Sequence, residues 1–84
     1  MKNHVTFACG KNEGKLTIQL EPEALVFEVL PANEISFEGS NAENIGWSIS
    51  FDRTENFIQL CPTGVFDITI YENGVLLDNW WKYM

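Results

Sequence analysis

The sequence predicts an all-β domain: a compact antiparallel β-sandwich or partly open barrel of about seven or eight short strands. Three observations lead there. Apolar and polar residues alternate with period two along most apolar runs. Turn-forming residues recur about every eight to twelve positions, as in all-β folds. No run carries the 3.6-residue period of a long amphipathic helix. The 84 residues are read as one domain spanning 1–84. With 45% apolar and 13% aromatic residues, that domain has material for a core without metal or disulfide staples.

The elements follow in chain order. In "HVTFAC", Val5, Phe7 and Cys9 share one face and His4 and Thr6 the other. "GKNEG" is a turn between glycines. "KLTIQLE" then places Leu16, Ile18 and Leu20 on one face, so the first two runs read as a hairpin. Pro22 breaks the chain. "ALVFEVL" is apolar on both faces, which reads as a central or doubly covered strand. A helix starting at Pro22 is the competing reading, because Glu21 and Glu23 suit a helix N-terminus. Val26, Phe27 and Val29 favour the strand, and Pro31 would stop a helix within about two turns.

"EISFEG" alternates, with Ile35 and Phe37 inward and Glu34, Ser36 and Glu38 outward. "GSNAENIG" is the longest loop. "WSISFD" directs Trp47, Ile49 and Phe51 inward. "RTEN" turns into "FIQLC", and "PTG" turns into "VFDITIY", where Phe66, Ile68 and Ile70 share a face. Asn73-Gly74 is a strong short hairpin signal, since both residues tolerate the positive φ of a type I′ turn. Two registers fit it: a two-residue loop, or a three-residue loop with a Gly74 bulge.

Charge is lopsided: twelve Asp and Glu against five Lys and Arg, a net charge of −7. No basic residue lies between Lys15 and Arg53. Such a surface repels phosphate backbones, which argues against direct nucleic-acid binding, and it attracts a basic protein partner. The plainer reading is that the acids keep a small β protein soluble. No apolar stretch is long enough to span a bilayer, and no signal-peptide pattern opens the chain, so a cytoplasmic location is expected. Cys9 and Cys61 are expected to be reduced thiols in apolar settings.

Catalytic chemistry finds little to stand on. His4 is the sole histidine and faces away from Cys9, so no nucleophile–base pair is expected. His4, Cys9 and Cys61 lack zinc-ligand spacing. Glycine-rich phosphate loops are missing. Glu34 with Glu38, or Asp67 with Asp78, read as solvated strand faces rather than acid–base pairs. The chain is expected to be no enzyme and to hold no cofactor or metal.

Surface recognition remains. The chain ends "DNWWKYM". Adjacent strand residues face opposite sides, so Trp80 and Trp81 are not equivalent. In the two-residue register Trp81 falls opposite Phe66 and turns inward; Trp80 then becomes the outer ring. These aromatics either clamp the last strand or anchor a partner. The expected partner-binding set is Glu34, Glu38, Glu43, Asp52 and Glu55 for steering, with Trp80, Trp81 and Tyr83 as anchors. Homodimerisation through an exposed terminal edge strand is a further expectation.

In general style a small acidic all-β chain is similar to bacterial immunity proteins and phage-encoded inhibitors, a diverse set without a shared motif. That analogy implies a non-enzymatic module masking a basic site on a partner. The alternatives are a structural or oligomer-forming β module, and a small-ligand binder with a pocket lined by Trp47, Phe27 and Phe51.

Overall fold

The computed structural model describes residues 3–77. Trp80, Trp81 and Tyr83 lie outside the described residues, as do Asp78 and Lys82. Within them there is no helix, and hence no helix long and apolar enough to cross a membrane. Eight strands form: β1 (Asn3–Ala8), β2 (Leu16–Leu20), β3 (Leu25–Val29), β4 (Glu34–Ser40), β5 (Trp47–Asp52), β6 (Phe57–Pro62), β7 (Asp67–Glu72) and β8 (Val75–Leu76). They build two four-stranded sheets, ordered β1-β4-β7-β8 and β3-β2-β6-β5. The first is antiparallel throughout. The second is mixed, because β2 and β6 run parallel.

Apart from β5, the strands turn inward and largely cover the faces that alternation assigns. Ile35 and Phe37 of β4 oppose Phe7 and Val5 of β1, and Phe37 also opposes Ile70 of β7. Ile18 and Leu20 of β2 lie between Phe27 and Leu25 on one side and Ile58 and Leu60 on the other. The sheets meet where Phe27 abuts Phe37 edge-on, ring centroids 5.7 Å apart, while Phe7 meets Phe37 at 6.1 Å. Phe37, Ile18, Leu60 and Ile70 have no solvent exposure. Near the far end of β4, Trp47 stacks edge-on against Phe66 at 5.2 Å. The Trp47 indole N–H is buried there, with no acceptor among the described residues.

Three expectations need correction. The runs around Val5 and Ile18 do not form a hairpin with each other. Instead β1 pairs with β4, and the chain crosses to the other sheet through the Gly10–Gly14 loop. Backbone bonds secure this choice: the Cys9 N–H donates to the Asn33 carbonyl, and the Ala32 N–H to the Cys9 carbonyl, each at 2.9 Å. Within the loop, the Glu13 carboxylate accepts from the Gly10 N–H at 3.0 Å. The second correction is β3, which is a strand but an edge strand; Val26 on its outer face is 55% exposed. The third is β5. Its inward residues point inward, as their pairing with Leu60 and Ile58 requires, yet Ile49 and Phe51 stay about half exposed. At this sheet edge nothing described covers them.

The last hairpin takes the two-residue register, with Glu72 opposite Val75 and Tyr71 opposite Leu76. Asn73 and Gly74 both have positive φ, 51° and 78°. Asn73 also ties the hairpin to β4. Its Oδ1 accepts from the Glu34 N–H at 2.8 Å, its N–H donates to the Glu34 carbonyl at 3.0 Å, and its Nδ2 donates to Asn33 Oδ1 at 3.3 Å. Asn73→Ala should therefore cost about 1–3 kcal/mol, from left-handed backbone strain plus lost bonds. Asn73→Gly keeps the backbone conformation and should lose less. Denaturant unfolding of both variants measures the difference; equal losses would remove backbone strain from the account.

Candidate functional site

Each strand runs against the one before it in sequence, so the connections gather at two ends. The hydrogen-bonded register puts residues 9–15, 30–33, 53–56 and 73–74 at one end. Residues 21–24, 41–46 and 63–66, with Asn3, lie at the other. This separation sorts the basic residues, while acids occur at both ends. Lys11, Lys15 and Arg53, the described basic residues, all occupy loops of the first end. Lys15 forms an ion pair with Glu28 there. The second end carries Glu21, Glu23, Glu43 and Asp67, with no Lys or Arg among the described residues.

The expected steering residues are divided by this geometry. Glu34, exposed, starts β4 at the first end, where Asn73 holds its backbone. Asp52 and Glu55 flank Arg53 in the β5–β6 turn at that same end. Asp52 Oδ1 accepts from the Thr54 N–H at 3.0 Å and the Glu55 N–H at 3.4 Å, so it closes the turn. Glu38 is half-buried on the outer face of the first sheet, opposite His4 and Thr69. Glu43 alone of the five sits at the second end. Glu21, Glu23 and Asp67, which the linear reading left out, join it.

The second end is also grooved. One groove, about 260 Å³, is lined by Asn3, Glu43, Ile45, Gly46 and Thr63. A larger one, about 430 Å³, is lined by Pro22, Glu23, Pro62, Val65, Phe66 and Ile68, with Thr63 among its further contacts. Thr63 lines both, so the two lie side by side. Val65 stands 99% exposed at the rim. Two of the four acids are engaged: Glu21 accepts from Gln19 Nε2, and Asp67 from Asn41 Nδ2. Glu23 and Glu43 are exposed carboxylates, Glu23 beside the apolar groove and Glu43 next to Ile45. Such a surface can pair with Lys or Arg while burying an apolar side chain next to them.

The residues suggested for a ligand pocket are not brought together. Phe27 is buried against Phe37, Trp47 lies against Phe66, and Phe51 borders a groove elsewhere, beside β1. His4 is exposed on an outer face, at the opposite end of β1 from the buried Cys9. Both cysteines are free thiols. Among the described residues no three His, Cys, Asp or Glu side chains converge as metal ligands.

A signal for the missed acids was present. Once strands alternate in direction, every second connection falls at the same end. Counting connections would have grouped the loop at 21–24 with those at 41–46 and 63–66. No protein family, curated protein or solved structure matches this chain.

Proposed function

We propose that the protein is a non-enzymatic binding module that docks a basic site on another protein through its second end. The observation that carries this reading is that acids at the second end stand, among the described residues, without the basic residues that accompany those at the first. The described basic residues lie at one end, while at the other Glu23 borders a largely apolar groove and Glu43 a neighbouring, more polar one. Glu23 and Glu43 steer and pair with the partner's Lys or Arg, and Val65 with the groove around Phe66 takes up an apolar side chain. Masking a basic site is how an immunity protein or a phage-encoded inhibitor acts, and the module fits that role. A reducing cytoplasm suits its two free cysteines.

A partner captured from the native host by the wild-type chain is the starting point of the test. Its association rate should fall steeply with salt, because charge steering is screened beyond about 10 Å at 0.1 M ionic strength. Glu23→Lys with Glu43→Lys should slow association at least about tenfold at low salt, within the range that steering supplies. Glu34→Gln with Glu55→Gln, at the first end, should change it little. Salt-independent association, or an equal loss from both pairs, would sink the assignment to the second end.

A further inference from the structure

β5 is the edge strand on which the core comes to the surface. Trp47, Ile49 and Phe51 all point to the inner face, and Ile49 and Phe51 are 49% and 51% exposed. Beside them a groove of about 270 Å³ opens between β1 and β5, lined by Phe7, Leu16, Phe51 and Ile58. Exposed edges usually carry protection: short length, proline, lysine, a bulge or an inward charge. β8 is two residues long, β3 carries Glu28 in an ion pair, and β1, though as long and unprotected as β5, keeps its inward Val5 and Phe7 half-buried. β5 runs six residues without proline or lysine, and its first charge is Asp52 at the last position.

Its backbone is also set for pairing. The Thr63 N–H donates to the Gly46 carbonyl at 3.0 Å, so Gly46 and Thr63 form a hydrogen-bonded pair. Alternation along an antiparallel ladder then makes Ser48, Ser50 and Asp52 bond to β6. The N–H and C=O groups of Trp47, Ile49 and Phe51 therefore point to the free edge. The residues with free backbone groups are the same ones whose apolar side chains face inward.

We propose that this edge pairs with a second copy of the chain, β5 antiparallel to β5, on a two-fold axis through Ile49. The strand's own sequence selects this occupant. In that register Ile49 meets Ile49, Trp47 meets Phe51 of the second copy, Ser48 meets Ser50, and Asp52 meets Gly46. Apolar residues oppose apolar ones on the inner face, an aromatic pair forms at each end, and no like charges stand opposite each other. The pairing is self-complementary and closes at two copies, and the second sheet becomes continuous across the axis. It shares only Gly46 with the grooved end, so it holds whether or not the docking reading does.

Two chains of net charge −7 repel, so dimerisation should strengthen as salt rises. That sign is opposite to docking of a basic partner. Sedimentation of the full chain over concentration and salt should show a monomer–dimer equilibrium shifted to dimer by salt. Amide exchange should slow at Trp47, Ile49 and Phe51 in proportion to the dimer fraction, while Ser48, Ser50 and Asp52 stay slow throughout. Ile49→Val should keep the dimer. Ile49→Lys, an inward-pointing charge on a half-exposed site, should abolish it and leave the fold intact by circular dichroism. A wild-type chain that stays monomeric up to millimolar concentration overturns the proposal. So does a dimer in which the amides of residues 47, 49 and 51 exchange freely, whatever the Lys variant does.

Discussion

Phe37→Ala should leave the chain largely unfolded at physiological temperature. Phe37 has no solvent exposure, and its ring receives Phe7 from its own sheet and Phe27 from the opposite one. Truncating a buried Phe to Ala typically costs about 3–5 kcal/mol through lost transfer energy and the cavity left behind. Whole domains are stable by about 5–15 kcal/mol, and one this small belongs near the lower bound. Phe7→Ala is the internal comparison. Phe7 touches the same ring but is only half-buried, so its loss should be clearly smaller. Thermal and urea unfolding of both variants would check this, and equal losses would mean that Phe37 is not the centre of the core.

Gly39→Ala should be the next most damaging. Gly39 is buried on the inner face of β4, between Asn3 of β1 and Ile68 of β7. A Cβ there would sit 2.6 Å from Ile45 Cγ2 and 2.8 Å from the Phe66 ring. Phe66 in turn stacks on Trp47, so the ring has little room to retreat. Overpacking of this kind costs about 1–3 kcal/mol, or a fall in Tm of about 5–20 °C for a domain of this size. Gly39→Ala with Ile45→Ala should recover part of the loss, since Ile45 supplies the nearest atom. A double variant no more stable than the single would locate the strain elsewhere.

The all-β class and most strand faces were legible because alternation is a local signal. Ile35 and Phe37, or Ile18 and Leu20, need only their neighbours to reveal a buried face. Pairing is not local in that sense. The glycines around "GKNEG" announce a reversal of direction but not whether the reversed strand lies beside its predecessor or in the facing sheet. What decides it is β4, which follows two strands later and takes β1 as its partner. Coverage is equally hidden. The inward direction of Ile49 and Phe51 was readable, but whether another strand lies above them depends on where the opposite sheet ends. For the same reason Val26, apolar and outward, imitates a central strand while lying on an edge. The grouping of Glu21, Glu23, Glu43 and Asp67 depends on three separate loops meeting at one end, which no single stretch of sequence displays.

The parallel contact between β2 and β6 has a kinetic consequence. Thr17 lies beside Phe57, and the chain between them builds β3, then β4 of the other sheet, then β5. Neither sheet can be completed from one continuous stretch. Closing a loop of this length orders little until its distant ends have met, so early local hairpins gain little on their own. The expected behaviour is a single concerted transition on the millisecond-to-second scale of non-local β topologies, with the two sheets forming as one cooperative unit. A cut at the β5–β6 turn would separate β2 from the only strand that joins it to β5. Fragments on either side of that cut should acquire structure only when mixed.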